Sequence, residues 1–159
     1  MAREDEILIL GLGNTLLSDE AVGVRIVEQL RNHPQSTHYH LKLLDGGTMG
    51  LTLLVDMEDA DAMIILDAGQ LGMEPGCLQV FEGEQMDLFL RSRGRNPHDI
   101  GLDDLMDGLR LRQAVPEKRA LVCIQPKTIA VGESLSIEVE KAIPQAVEAV
   151  IEILDRWTL

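Results

Sequence analysis

The stretch Ile7-Leu8-Ile9-Leu10-Gly11-Leu12-Gly13-Asn14-Thr15-Leu16-Leu17-Ser18-Asp19-Glu20 decides the fold of this chain. Its apolar start predicts a strand over residues 6–10 that is buried on both faces, as in a parallel sheet. The glycines allow a sharp turn, and the apolar periodicity that follows predicts a helix over residues 20–31. A strand, a glycine turn and a helix often bind a phosphate group at the helix N-terminus. Here the turn carries Asp19 and Glu20, whose negative charge favours a cation.

The rest of the chain continues to alternate between strand and helix patterns. Strands are predicted over residues 38–44, 62–66, 77–82 and 120–124, and helices over residues 49–58, 99–110 and 138–156. This alternation predicts an α/β fold, a three-layer sandwich in which a twisted, mostly parallel five-stranded sheet lies between helices. We expect a single domain over residues 1–159. Residues 83–97 show the least regular pattern, and they fit either a solvated loop or a mobile flap that meets a substrate.

The composition excludes several classes of partner. Lys and Arg number 14 against 27 Asp and Glu, which gives a net charge of −13. Such a chain is not expected to bind nucleic acid or anionic membranes through general electrostatic attraction. No run approaches the ~20 apolar residues of a membrane span, and the charged N-terminus does not resemble a signal peptide. We therefore expect a cytoplasmic protein in which Cys77 and Cys123 are reduced, buried thiols.

The glycine turn matches a dinucleotide-binding fingerprint only in part. Gly11 and Gly13 occupy its first two glycine positions, but Leu16 stands at the third. The chain also contains no Gly-Lys-Ser or Gly-Lys-Thr phosphate loop and no Gly-x-Ser-x-Gly nucleophile motif. Nucleotide binding and serine hydrolase chemistry therefore have little support.

Four polar residues follow predicted strands or loops at the edge where ligands bind in α/β sheets: Glu20, Asp45, Asp67 and His98. Taken singly, each also fits a helix cap or a turn residue. Taken together, carboxylates and an imidazole predict a site for a borderline divalent ion such as Zn, Ni, Mn or Fe. Three protein ligands would leave positions open for water or substrate.

Several motifs in order resemble those of the nickel–iron hydrogenase maturation proteases. The most specific is the segment from Gly11 to Arg25. Further matching blocks are Asp45-Gly46-Gly47-Thr48, Ile65-Leu66-Asp67-Ala68, Pro97-His98-Asp99-Ile100-Gly101-Leu102 and Ile124-Gln125-Pro126. The resemblance covers nearly the whole chain and implies an endopeptidase, often classed as aspartic-type, that removes the C-terminal extension of the hydrogenase large-subunit precursor.

The resemblance also implies a site and a partner. The family's metal-contacting residues correspond to Glu20, Asp67 and His98. The nickel is expected to come with the precursor, although other divalent metals can substitute in vitro. Asp45 is a candidate general base, and Asp67 or Glu20 are alternatives when they are not bound to metal. We expect a monomer that cuts one client protein. Two alternatives stay open: a non-catalytic binding module or chaperone for the precursor, and a metallohydrolase that holds its own divalent metal.

Overall fold

A five-stranded sheet runs through the centre of the protein in a computed structural model that describes residues 4–47, 50–93, 101–132 and 134–158. The strands lie in the order β2-β1-β3-β5-β4. The first four in this order are parallel, and β4 runs antiparallel to β5. This confirms the predicted mostly parallel, five-stranded sheet. The strand bounds are β1 Ile7–Leu12, β2 Leu41–Gly47, β3 Ala62–Ala68, β4 Leu78–Glu82 and β5 Lys118–Ile124.

Helices cover both faces of the sheet and complete three layers. The α-helices are α1 Val22–Arg31, α2 Leu53–Glu58, α3 Glu84–Ser92, α4 Leu102–Leu111 and α5 Ile137–Trp157. Short 3-10 helices span Ser18–Ala21, Pro34–His38 and Gly50–Thr52. The apolar residues of α1 and α5 pack on one face of the sheet, and those of α2, α3 and α4 pack on the other. Within the described residues, no helix is long and apolar enough to cross a membrane.

The central strands are apolar throughout because both of their faces are buried. In β1, Ile9 faces the α1–α5 layer while Leu8 and Leu10 face the α2–α4 layer, and all three are fully buried. In β3, Ile64 and Ile65 divide between the two layers in the same way. Burying one such side chain contributes about 1.5–3 kcal/mol to folding. Two adjacent strands of this kind therefore specify the centre of the sheet.

The prediction that residues 83–97 are irregular is wrong for most of that segment. Residues 84–92 form α3, which buries Met86 and Leu90, four residues apart, against the sheet. Asp87 of this helix also forms a bidentate ion pair with Arg119 of β5. Arg119 Nη2 donates to Asp87 Oδ2 at 2.7 Å, and Arg119 Nε donates to Asp87 Oδ1 at 3.2 Å. The spacing of the two buried residues was a helical signal, and the surrounding charges obscured it.

Two element boundaries differ from the sequence prediction, and both bear on candidate residues. The strand β2 begins at Leu41 because Pro34–His38 forms a 3-10 helix, so Asp45 lies inside the strand near its carboxyl end. The helix α1 begins at Val22, with Ala21 as its N-cap, so Glu20 lies in the preceding 3-10 helix. Glu20 is therefore held by a tight turn rather than by a regular helix.

Candidate metal and peptidase site

The glycine turn after β1 brings Glu20 back to the carboxyl edge of the sheet. Gly13 has a φ of +118°, and a Cβ added there would lie 1.9 Å from the carbonyl oxygen of Glu20. A Cβ at Gly11 would lie 2.6 Å from the carbonyl oxygen of Gly23 in α1. Both glycines are needed because backbone approaches backbone at these points. The turn thus requires glycine for tight chain packing.

Glu20 and Asp67 are presented at this edge from neighbouring parts of the sheet. Glu20 is partly buried in the 3-10 helix that follows β1, and a Cβ added at Gly13 would lie 3.3 Å from its Cγ. Asp67 is the last residue but one of β3, the strand next to β1, and it is also partly buried. The structure therefore brings together two of the carboxylates that the sequence predicts for the site.

The electrostatics of Asp67 reflect this environment. The pKa of Asp67 is raised from 3.8 to about 7, mainly by burial and to a smaller extent by the negative charge of Glu20. The nearby Arg93 guanidinium and a hydrogen bond from the Ala68 N–H lower it in part. The ionised form of Asp67 is therefore disfavoured in the free protein, and a cation placed between the two carboxylates would offset that cost.

Arg93 reaches the same edge from the end of α3. Its Cζ lies 5.5 Å from the centroid of the Phe89 ring, which stacks on Phe81 with a centroid distance of 4.1 Å. A Cβ on Gly69 would lie 3.0 Å from Arg93 Nη1 and 2.7 Å from Cys123 Sγ, so glycine leaves room for the guanidinium. The site thus carries one positive charge beside its carboxylates, which sequence patterning did not place there.

Cys123 is a buried, uncharged neighbour of the site. It pairs with Asp67 across β3 and β5. The pKa of its thiol is raised to about 12, mainly by burial and to a smaller extent by the charge of Asp67, while Arg93 opposes the increase. A protonated thiol is a poor nucleophile and a poor metal ligand. Both cysteines are free thiols as predicted, although Cys77 is only partly buried.

Asp45, the candidate general base, lies apart from this pair. It is exposed, and it pairs with Gly11 across β2 and β1. At that position the Cβ direction of Gly11 points toward α1, whereas Asp67 lies beside Cys123, which packs in the α2–α4 layer. Because residues paired across a sheet share a face, Asp45 and Asp67 are directed to opposite faces. The structure does not bring them together.

The third predicted metal-contacting residue, His98, lies outside the described residues. Within the described ranges, no three His, Cys, Asp or Glu side chains are grouped so that they could hold a metal ion. The described part of the chain thus contributes a pair of carboxylates, Glu20 and Asp67. These two carboxylates alone do not form a metal site within the described residues.

Asp19 has a role that sequence reasoning missed. Its side chain is completely buried and accepts four hydrogen bonds, from the backbone N–H groups of Lys127 (2.8 Å), Thr128 (2.9 Å) and Ser136 (2.6 Å) and from the Ser136 hydroxyl (2.8 Å). Burial alone would raise the pKa of Asp19, but these hydrogen bonds outweigh burial and lower it. Asp19 therefore anchors the connection between β5 and α5 to the turn that carries Glu20. Its partners are more than 100 residues away, so no local pattern could have revealed them.

Comparison with known proteins identifies the family. A family profile described as hydrogenase maturation protease matches residues 24–153. This chain belongs to the hydrogenase maturation protease family. It is accordingly a peptidase, as the motifs had implied.

Individual members of the family match over nearly the full length. The hydrogenase 2 maturation protease of Escherichia coli (strain K12) is 38% identical over 149 residues, which cover 93% of this chain and 90% of the relative. The hydrogenase expression/formation protein HupD of Rhizobium leguminosarum bv. viciae is 32% identical over 95% of this chain and 75% of its own length.

Solved structures of the family confirm the α/β fold. The hydrogenase maturating endopeptidase HybD from E. coli superposes with a TM-score of 0.83 at 37% identity, and the match covers 95% of this chain and 93% of that protein. The [NiFe] hydrogenase maturation protease HybD from Thermococcus kodakarensis gives a TM-score of 0.73 at 27% identity, with 93% and 98% covered. The mostly parallel sheet between two helical layers is therefore the architecture of this protease family.

Proposed function

We propose that this protease recognises nickel in the immature large subunit of a nickel–iron hydrogenase and then removes the subunit's C-terminal extension. Glu20, Asp67 and His98 would contact the nickel while it is still held by the precursor. The metal in this scheme is part of the substrate. Its recognition would restrict cleavage to precursors that have already received nickel.

The observation that carries the proposal is the pair of carboxylates at the carboxyl edge of the sheet. Asp67 lies in β3 and Glu20 in the 3-10 helix that follows the adjacent strand β1, and the charge of Glu20 raises the pKa of Asp67. Two carboxylates and an imidazole suit a borderline divalent ion such as nickel. The name of the Thermococcus kodakarensis relative also specifies a [NiFe] hydrogenase.

Peptide hydrolysis at this site needs an activated water, a polarised carbonyl and a proton for the leaving amine. Nickel bound to the precursor can polarise the carbonyl or lower the pKa of a bound water. A carboxyl group with a pKa of about 7, as for Asp67, can accept or donate a proton near neutral pH when it is not bound to metal. Asp67 and Glu20 are therefore better placed than Asp45 for proton transfer, because Asp45 is directed to the other face of the sheet.

A processing assay with purified precursor tests the proposal. The precursor is prepared with and without nickel, and cleavage is followed by gel electrophoresis and by mass spectrometry of the released peptide. The wild-type chain is expected to cut only the nickel-loaded form. Glu20→Gln and His98→Ala are expected to slow cleavage by about 100-fold or more, since even residues that only support metal ligands matter by 10–100-fold. His40→Ala is the matched control, because His40 is exposed and directly precedes β2.

Four outcomes would overturn parts of the proposal. Equal cleavage of nickel-free and nickel-loaded precursor would refute metal recognition. Binding without cleavage, under conditions where the precursor is competent, would favour a binding module or chaperone. Stoichiometric metal in the purified chain before it meets the precursor would favour a metallohydrolase with its own ion. Normal processing by His98→Ala would remove that residue from the site.

A further inference from the structure

Three exposed apolar residues lie on two hydrogen-bonded segments next to the turn that carries Glu20. Leu16, Ile129 and Val131 are 57%, 56% and 88% exposed. Their two segments are joined by the backbone, because the Gly132 N–H donates to the carbonyl oxygen of Leu16 at 2.8 Å and the Ser18 N–H donates to that of Gly132 at 2.8 Å. We call Leu16, Ile129 and Val131 the apolar surface.

The backbone under the apolar surface is held in a defined shape. The Ser18 hydroxyl donates to the carbonyl oxygen of Ala130 at 2.8 Å. The buried Asp19 carboxylate accepts the N–H groups of Lys127 and Thr128, directly before Ile129. An apolar surface that is fixed before binding loses little conformational entropy when a partner covers it. Exposed apolar side chains that form one contiguous patch often mark a binding site, whereas singly scattered ones do not.

The apolar surface is continuous with the proposed cleavage site. Ser18 and Asp19, which hold residues 127–132, directly precede Glu20 in the same 3-10 helix. Not every exposed apolar residue of the described chain lies at this edge. Leu111, for example, is 89% exposed at the end of α4, which leads into the opposite, amino end of β5. The segments that carry Leu16, Ile129 and Val131 are therefore hydrogen bonded to the turn that carries Glu20.

We propose that the apolar surface docks apolar residues of the hydrogenase large-subunit precursor next to its scissile bond. This inference rests on the proposed function and adds a binding surface to it. A net charge of −13 gives the protease no general attraction for acidic clients. Burial of apolar side chains supplies affinity that does not depend on charge. The precursor segment that covers Leu16, Ile129 and Val131 is accordingly apolar rather than acidic.

Substitution of the exposed side chains tests the inference. The double variant Ile129→Ser/Val131→Ser removes two apolar groups without touching Asp19 or the backbone bonds that hold the loop. Processing of nickel-loaded precursor is measured at several precursor concentrations to separate KM from kcat. We expect KM to rise by at least about tenfold, with kcat unchanged. Leu111→Ser is the control, and its KM and kcat are expected to equal those of the wild type.

The outcomes distinguish a failure of the docking inference from a failure of the proposed function. If the wild type cuts the nickel-loaded precursor but the double variant keeps the wild-type KM, the docking surface is refuted while the function stands. A fall in kcat at unchanged KM would also refute docking. If the wild type cuts nothing, the proposed function fails. Direct titration of the nickel-loaded precursor into the wild type and the double variant then tests whether the apolar surface binds the precursor. A higher Kd for the variant supports docking, and an equal Kd refutes it. The melting temperature of each variant is measured first, and we expect no change because the replaced side chains are exposed.

Discussion

Replacement of Asp19 by Asn should destabilise the protein strongly although it changes only one atom of the side chain. The Asp19 Oδ2 atom accepts the hydrogen bonds of Lys127 N, Thr128 N and the Ser136 hydroxyl, and Oδ1 accepts that of Ser136 N. The single oxygen of Asn can replace Oδ2, and the amide then faces the Ser136 N–H, donor against donor. Three hydrogen bonds lose the carboxylate charge, and one buried N–H loses its acceptor. An unsatisfied buried group costs about 1–3 kcal/mol, and the loss of charge assistance adds to that cost. We therefore expect the free energy of unfolding to fall by about 3–5 kcal/mol.

The pH dependence of stability should change in the same variant. The pKa of Asp19 is lower in the folded protein than its usual value of 3.8, because the hydrogen bonds outweigh burial. A lowered pKa contributes stability that is present above about pH 4 and is lost as the pH falls through the folded value. The Asp19→Asn variant lacks this group. Its stability should therefore fall less steeply between about pH 5 and pH 2 than that of the wild type.

Urea unfolding followed by circular dichroism measures both effects. Ser136→Ala is the matched control, because it removes one hydrogen bond to Asp19 Oδ2 and the N-cap bond to Val139 N but leaves the carboxylate in place. We expect the free energy of unfolding of this control to fall by about 1–2 kcal/mol. An Asp19→Asn variant that loses less than its control, or that keeps the acid dependence of the wild type, would refute the reasoning that Asp19 anchors this connection.

Three further substitutions, one of them a control, test the geometry and the electrostatics of the site. Gly13→Ala should cost about 3 kcal/mol or more and abolish processing, because its Cβ would lie 1.9 Å from the Glu20 carbonyl oxygen. Gly72→Ala is the control, because Gly72 has a φ of +68° and a Cβ there would meet nothing within 4 Å. It should lower the free energy of unfolding by only about 1–2 kcal/mol. Equal losses for the two variants in urea unfolding would contradict the steric explanation. Asp67→Asn should stabilise the metal-free protein at pH 8 by at most about 4 kcal/mol, since burial raises the pKa of Asp67 from 3.8 to about 7 and the ionised group is disfavoured. A raised folded-state pKa contributes stability that is present below the unfolded-state pKa and is lost as the pH rises through the folded-state pKa. The stabilisation by Asp67→Asn should therefore vanish near pH 4. A stabilisation that is independent of pH would refute this explanation.

The sequence predicted the centre of the fold because its signals there are local. The apolar runs of β1 and β3 are buried on both faces, and a short continuous apolar run that ends at a turn is typical of a strand inside a parallel sheet. The turn at Gly11 and Gly13 was also predictable, since close backbone approach requires both glycines. The mostly parallel arrangement followed from the alternation of strands and helices, as did the expectation that Glu20 and Asp67 share one edge of the sheet.

What the sequence did not predict depends on contacts between distant residues. Asp19 and Ser136 are separated by 117 residues, and only the complete fold brings them into contact. The helix α3 was missed because only Met86 and Leu90 mark its buried face among many charges. The position of Arg93 against Asp67 depends in turn on that helix. Likewise, the direction of Asp45 could not be inferred from its place after a strand, because its face is set by its pairing with Gly11.

The coordination of nickel in the complex tests the central claim most directly. X-ray absorption at the nickel edge is recorded for a nickel-loaded precursor with a blocked scissile bond, alone and with the protease. We predict that the protease adds nitrogen and oxygen ligands at about 2.0–2.1 Å, the distance expected for imidazole and carboxylate on a first-row divalent ion. The Glu20→Gln and His98→Ala variants should reduce that contribution, and His40→Ala should leave it intact. A nickel spectrum that does not change when the protease binds would contradict the proposal that Glu20, Asp67 and His98 read the metal.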